Sequence, residues 1–228
     1  FFRSLSVGAR LWAGVIAIIL ALFVVVATAG SRSAMLNKES EQVLSALAHK
    51  TTIATQWAGL TETNVTRVQA SIASSDPAIA EMYKDMIPAG VAAISALQKE
   101  LQAMDMNEAE KAQMAKIAEL RKNVLDSLGK ANEMKKAGDA AGAAQEISTR
   151  FNQAVPPYLA ALREFASMQS EIRQEAQTSF TEQRATSLTI ATIQVGALVA
   201  GIITGAFFLI RNIRYPLREA MAFAEQIA

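Results

Sequence analysis

The stretch ATSLTIATIQVGALVAGIITGAFFLIRNIRYP, residues 185–216, decides how the rest of this chain is interpreted. Its first 26 residues, 185–210, carry no charge, and basic side chains follow at once at Arg211 and Arg214. The hydrocarbon core of a bilayer is about 30 Å thick and is spanned by roughly 20 helical residues. Because a helix satisfies its own backbone hydrogen bonds in lipid, we predict a transmembrane helix over residues 185–210.

A second uncharged stretch, residues 11–31, lies between Arg10 and Arg32 and is also long enough to span a bilayer. We predict a first transmembrane helix there, preceded by a short cytoplasmic segment at residues 1–10. The basic start and the sequence Ala27-Thr28-Ala29 also resemble a cleaved secretory signal. The uncharged run is longer than the usual signal core of about 7–15 residues, which favours the membrane helix.

Arginines mark the same side of both predicted spans, which sets the topology. Arg3 and Arg10 precede the first span, and Arg211 and Arg214 follow the second. Basic residues close to span ends are concentrated on the cytoplasmic side of a membrane. We therefore expect both ends of the chain in the cytoplasm and residues 32–184 outside the cell.

The composition of the intervening region excludes several classes of function. Residues 33–184 contain 16 Lys and Arg against 19 Asp and Glu, a net charge of −3, without the dense basic stripe that nucleic-acid binding requires. The chain has no cysteine and a single histidine, His49. Disulfides and thiolate metal sites are excluded, and we expect no metal, no cofactor and no catalytic site.

The periodicity of apolar residues between the spans predicts four long helices and no strands. We expect the first span to continue as helix to Ser75, with Asp76 and Pro77 capping the second helix, which runs to residue 103 and is kinked near residues 88–90. A capping box of Asn107 and Glu110 predicts the third helix at residues 108–136, ended by Gly138. The fourth begins after Asp139, with an interruption near residues 156–157.

Four helices with short connections predict an all-α fold, an antiparallel four-helix bundle whose first and fourth helices continue into the two transmembrane helices. After the second span, apolar residues recur in an a/d-like pattern over residues 211–228. Arg214 and Pro216 lie where the span meets this segment, and we predict that they form a signal junction. We expect the chain to continue beyond residue 228.

This layout resembles that of bacterial transmembrane chemoreceptors, the methyl-accepting chemotaxis proteins, with a four-helix-bundle ligand-binding domain. Residues 136–143, KAGDAAGA, resemble the turn between helices three and four of that domain. Residues 213–220, IRYPLREA, and 224–228, AEQIA, resemble the first helix of a HAMP signal-conversion module. The resemblance implies a homodimer or a higher oligomer in the bacterial inner membrane, crossing it twice. It also implies a periplasmic sensor domain at 32–184 and cytoplasmic signalling partners.

The resemblance also implies where a ligand binds, namely between two subunits, against helix one and the start of helix four. A helix-one arginine in that family pairs with a ligand carboxylate, and Arg67 holds the matching position. The implied ligand-binding residues are Thr63, Asn64, Thr66, Arg67, Arg150 and Gln153. Tyr158, just past the double proline, is a further candidate to line a pocket, and the alternative is a packed tyrosine with its hydroxyl at the edge of the bundle. For Arg67 the alternatives are a solvated side chain or an intersubunit ion pair with Glu62. Residues 71–75 lack the further arginines of aspartate receptors, so the ligand is expected to be another small organic acid or amino acid.

Two other functions fit the same layout. The bundle could be the sensor region of a histidine kinase or nucleotide cyclase, which the residues after 228 would decide. It could also belong to a membrane-anchored interaction protein that senses another protein instead of a small molecule, which a ligand screen without stabilisation would favour.

Overall fold

The computed structural model describes residues 7–74 and 76–225, and every regular element in them is helical. The helices are α1 (Val7–Ala73), α2 (Pro77–Tyr83), α3 (Met86–Gln102), α4 (Glu108–Lys136), α5 (Ala140–Glu146), a π-helical turn (Ile147–Phe151) and α6 (Asn152–Glu225). The predicted all-α fold is therefore confirmed. The predicted third helix has the observed bounds of α4.

The chain divides into two compact units. The described parts of residues 1–41 and 178–228 form one, which we call the paired-helix unit, and residues 42–177 form the other, which we call the bundle. The predicted domain limits at residues 32 and 184 stay predictions.

The paired-helix unit exposes large apolar side chains, for example Phe23, Val26 and Phe207, which are 71%, 63% and 60% exposed. Two helices in the described part of the chain are long and apolar enough to cross a membrane, judged by length and composition. Within the unit, Arg184 Nη2 donates a hydrogen bond of 2.6 Å to Asn37 Oδ1.

Cross-helix hydrogen bonds in the bundle show that α1 and α6 run antiparallel. Near the end of the α1 segment, Gln69 Nε2 lies 2.8 Å from Asn152 Oδ1 at the start of α6. Near its beginning, the Thr51 hydroxyl lies 3.3 Å from the carbonyl of Gln169, further along α6. Along the bonded pairs, the residue number rises on one helix while it falls on the other.

Helix α4 also runs antiparallel to the segment formed by α5 and α6. The Ser127 hydroxyl of α4 bonds to Glu146 of α5 at 3.1 Å, and Gln113 Nε2, earlier on α4, bonds to the carbonyl of Ala161 at 2.9 Å. The core is built from the inward faces of α1, α3, α4 and the segment that runs from α5 into α6. Its largest fully buried apolar side chains are Trp57, Phe151, Phe165, Leu101, Ile117 and Leu162.

The predicted starts and stops of the middle helices are confirmed. Asn107 Oδ1 accepts from the backbone N–H of Glu110 at 2.9 Å, and Glu110 Oε2 accepts from the N–H of Asn107 at 2.7 Å, so the capping box is complete. Gly138 has a φ of 85°, which a glycine adopts without strain, at the end of α4. Asp139 then caps α5 through the N–H of Gly142 at 2.8 Å.

The two breaks lie ahead of the prolines, about one turn before Pro88 and about two turns before Pro156. The second predicted helix is divided between Tyr83 and Met86, ahead of Pro88. A proline clashes with the carbonyl four residues before it and is tolerated in the first turn of a helix, so the break precedes Pro88. Pro156 and Pro157 are the fifth and sixth residues of α6, so the carbonyls with which their rings clash belong to residues 152 and 153. The irregularity is the π-helical turn that ends directly before these two residues.

Candidate functional site

The predicted ligand-binding residues of the first helix are divided between the surface and the interior of the bundle. Thr63 and Thr66 are exposed, and their hydroxyls donate to the carbonyls of Gly59 and Glu62 on their own helix at 2.9 and 3.0 Å. Asn64 is only 5% exposed and faces the core. The two threonines and Asn64 therefore do not line one common surface.

Arg67 is half-buried, and within residues 7–74 and 76–225 it forms no ion pair. Glu62, its alternative partner, is bound by Arg163, whose Nη2 lies 2.7 Å from Glu62 Oε1. The guanidinium charge of Arg67 is therefore left without a compensating carboxylate in the described chain.

The predicted residues of the fourth helix lie around the π-helical turn. Arg150 is exposed, with its Nε 3.8 Å from Glu146 Oε2, and Gln153 is exposed one residue past Asn152. The bond from Gln69 to Asn152 joins this segment to the end of the α1 segment that carries Arg67. We call the group at this end of the bundle the outer cluster; its members are the half-buried Arg67 and the exposed Thr63, Thr66, Arg150 and Gln153.

Tyr158 is 3% exposed and lies inside the bundle, not on the outer cluster. Burial raises the pKa of its hydroxyl, whereas the nearby charge of Arg121 and the side chains of Thr61 and Trp57 oppose that rise. A phenol that is buried in this way stays protonated at neutral pH, so Tyr158 is a neutral group of the interior.

Tyr158 and Asn64 both line a partly open cavity of about 40 Å³. The other lining residues are Thr61, Val65, Val68, Val91, Ile94, Arg121, Val124, Leu125, Leu128 and Phe151. We call this space the inner cavity. Two of its polar members, Thr61 and Arg121, are not among the predicted site residues; the core-facing spacing of 57, 61, 64 and 68 on α1 was the available signal for Thr61.

A comparison with known protein families shows to which family this chain belongs. A family model described as a four-helix-bundle sensory module for signal transduction matches residues 4–183. The chain belongs to this family. The module is the sensory part of chemotaxis receptors, so the predicted resemblance is confirmed. No curated protein matches the chain.

A buried polar network joins three helices of the sensory module at a different place from the inner cavity. Lys50 of α1 is 7% exposed, and its Nζ lies 2.8 Å from Glu110 Oε1 of α4 and 2.6 Å from the carbonyl of Asp105. Gln169 of α6 donates to the same Glu110 oxygen at 2.8 Å. We call Lys50, Glu110 and Gln169 the buried triad.

The pKa of Glu110 reflects both its burial and its partners. Burial raises the pKa, but hydrogen bonds from Lys50, the N–H of Asn107 and Gln169, together with the Lys50 charge, bring it below its usual value. A carboxyl whose pKa is lower in the folded state stabilises that state above its unfolded pKa, and this contribution is lost as the pH falls.

Acidification is therefore expected to weaken the sensory module through Glu110. Between pH 7 and pH 3, the free energy of unfolding should fall, and Glu110→Gln should lose part of this pH dependence because the neutral amide cannot titrate. Urea unfolding of the full chain in nanodiscs at both pH values measures how steeply the free energy of unfolding depends on pH. Equal slopes in the two proteins would contradict the role given to Glu110.

Arg214 and Pro216, the predicted signal junction, lie inside the helical range of α6. Their side chains lie outside what the structure describes, as do residues 226–228 of the predicted HAMP helix. Their role stays a prediction.

Proposed function

We propose that this chain is the sensor region of a transmembrane chemoreceptor, which binds a small extracellular ligand and signals to the cytoplasm. The observation that carries the proposal is the family match over residues 4–183, which makes the bundle a sensory module. The two long apolar helices support a membrane location. The excess of Arg3, Arg10, Arg211 and Arg214 over Arg32 and Arg184 at the opposite span ends supports a periplasmic bundle in the bacterial inner membrane.

The outer cluster is the proposed ligand-binding surface. Arg67 supplies a positive charge that no carboxylate of the described chain compensates, beside the exposed Thr63 and Thr66. A guanidinium group binds a carboxylate through two parallel hydrogen bonds, which favours an organic acid or an amino acid as ligand. In a homodimer, with the second subunit covering this face, the ligand would contact both subunits.

The proposed signal runs along α6, which is helical from Asn152 to Glu225. A ligand shifts the equilibrium between two arrangements of helices only by the difference in its affinity for them. We place the response at Arg214 and Pro216, where the span would meet a HAMP helix that acts on cytoplasmic signalling proteins.

Removal of the Arg67 charge tests the proposal. Arg67→Ala is expected to abolish binding of the ligand found in a panel of organic acids and amino acids, or to weaken it about tenfold or more, since a charge-assisted hydrogen bond is lost. Calorimetry on the full chain in nanodiscs measures the affinity. Arg173→Ala, an exposed arginine far along α6, is the control. An unchanged affinity in Arg67→Ala would eliminate the outer cluster as the site.

A further inference from the structure

A cavity of about 170 Å³ lies between α1 and α6 within the paired-helix unit. Its wall carries two arginines, Arg32 of α1 and Arg184 of α6, together with the polar side chains of Asn37, Ser187 and Gln194. We call this space the arginine cavity. Its volume is several times the roughly 30 Å³ that one water occupies in the liquid, so a group of several heavy atoms can enter it.

The two arginines of the cavity are not compensated by carboxylates. Arg184 Nη2 donates to Asn37 Oδ1, which belongs to a neutral amide, and in residues 7–74 and 76–225 neither Arg32 nor Arg184 forms an ion pair. The described residues that line the arginine cavity include no aspartate and no glutamate. Because a guanidinium group binds phosphate oxygens through two parallel hydrogen bonds, the cavity favours a phosphate group as its occupant.

Both arginines lie where the uncharged stretches of the chain end. The predicted spans end at residue 31 on α1 and begin at residue 185 on α6, directly beside Arg32 and Arg184. Under the proposed topology this is the outer face of the membrane, where basic residues are less frequent than on the cytoplasmic face. Basic pockets between transmembrane helices bind anionic headgroups, and the lipid phosphates of the outer leaflet lie at this level.

Gln194 extends the cavity into the predicted span, and its amide forms no hydrogen bond within the described chain. Since the two spans cross the membrane in opposite directions, the bond between Arg184 and Asn37 places Arg32 roughly level with residue 189, about 8 Å from Gln194 along the helix axis. A polar group without a partner is costly in the hydrocarbon core. A phospholipid carries ester carbonyls below its phosphate, which accept hydrogen bonds, whereas a free phosphate ion does not reach this depth.

We propose that the arginine cavity binds one phospholipid of the outer leaflet that has a net negative charge, of the phosphatidylglycerol type. The phosphate binds Arg32 and Arg184, the amide of Gln194 donates to an ester carbonyl, and an acyl chain lies against apolar residues such as Leu188. A headgroup with an ammonium group is disfavoured, because it would meet two cations and no described carboxylate. This inference rests on the proposed transmembrane arrangement, but it does not involve the outer cluster.

A lipid in this position would contact both helices that continue into the predicted spans. It would hold Arg32 of α1 and Arg184 of α6 at the level of the lipid phosphates, so a displacement of α6 across the membrane would weaken one of the two contacts. A bound molecule stabilises the arrangement of helices for which it has the higher affinity. The lipid composition of the outer leaflet would thereby influence how readily the sensor changes its state.

Native mass spectrometry of the full chain in detergent micelles measures the affinity for single lipid molecules. We expect the first phosphatidylglycerol to bind about tenfold more tightly than phosphatidylethanolamine, because the second lipid brings an ammonium group to two arginines. Glycerol phosphate has the phosphate but no acyl esters, and we expect that an equal concentration of it does not displace the lipid. Displacement by glycerol phosphate would overturn the assignment of a lipid to the cavity.

Substitutions distinguish a defined site from a general attraction of anionic lipids. Arg32→Gln and Arg184→Gln are each expected to weaken phosphatidylglycerol binding about tenfold, since each removes a charge-assisted contact. Gln194→Leu is expected to weaken it about threefold, although the charge of the protein is unchanged. Lys38→Gln removes an exposed charge next to Asn37 from a side chain that does not line the cavity, and this control should leave the affinity unchanged. Circular dichroism checks that each variant is helical.

Failure of this inference can be distinguished from failure of the proposed function. Equal affinities for the two lipids, or equal affinities in Arg32→Gln and Lys38→Gln, would indicate general electrostatic attraction and overturn the site. Unchanged binding in Gln194→Leu would overturn the placement of the lipid in the arginine cavity. None of these results affects ligand binding at Arg67, whereas a chain that did not insert into nanodiscs would overturn the transmembrane arrangement itself.

Discussion

Lys50→Met is expected to lower the free energy of unfolding of the bundle by about 3–5 kcal/mol. Methionine keeps an unbranched side chain in the space, but it leaves the carboxylate of Glu110 buried, with the amide of Gln169 as a weaker partner. Glu110 is 3% exposed, so water cannot replace the lost cation. Removal of one member of a buried ion pair is costly because the remaining charge stays desolvated.

Urea unfolding of the full chain in nanodiscs, followed by circular dichroism, measures this change. The matched control is Lys111→Met, which breaks an exposed ion pair of the same 2.8 Å length with Glu108. Exposed pairs contribute about 0–1 kcal/mol, so the control should be nearly as stable as the original protein. Similar losses in the two variants would contradict the buried triad as a source of stability.

A double substitution separates stability from specificity in the buried triad. Replacement of both Lys50 and Glu110 by apolar residues of similar size is often neutral or stabilising in other proteins. If the double variant regains stability but loses the response to ligand, the triad serves to fix how α1, α4 and α6 pack. That distinction matters for a sensory module, whose function depends on a small change between helices.

Local signals in the sequence were sufficient to predict the helices and most of the residues at which they begin and end. Asn107 with Glu110, Gly138 and Asp139 act on the residues beside them, so the bounds of α4 could be predicted from neighbouring residues alone. The prolines predicted that each break exists, but both breaks lie one to two turns earlier than predicted. Pro88 disturbs the backbone four residues before its own position.

The candidate site depends on side-chain directions and helix contacts that the periodicity of the sequence does not predict. Thr63 and Asn64 are neighbours in sequence, yet one is exposed and the other is buried, since adjacent residues on a helix point about 100° apart. Arg121 reaches the inner cavity only because α3 and α4 pack together. Lys50 and Glu110 are 60 residues apart, and no local pattern indicates that their side chains meet.

The contact between Trp57 and Phe165 couples α1 to α6 through apolar packing. Both side chains are fully buried, and their rings meet edge to face, with centroids 6.2 Å apart and planes inclined at 74°. Such pairs contribute about 0.5–1.5 kcal/mol beyond the burial of their surface. Removal of the Phe165 ring therefore costs its burial, the cavity that remains and this pair interaction.

Phe165→Ala is accordingly expected to lower the free energy of unfolding by about 3–5 kcal/mol. Urea unfolding followed by the fluorescence of Trp57 measures it, with Trp12→Phe as the background. Met82→Ala, which shortens a side chain that is 60% exposed, is the control and should cost far less. If Phe165→Ala were as stable as the control, α6 would not pack on α1 through this pair. The helix proposed to carry the signal would then need another contact to sense its neighbour.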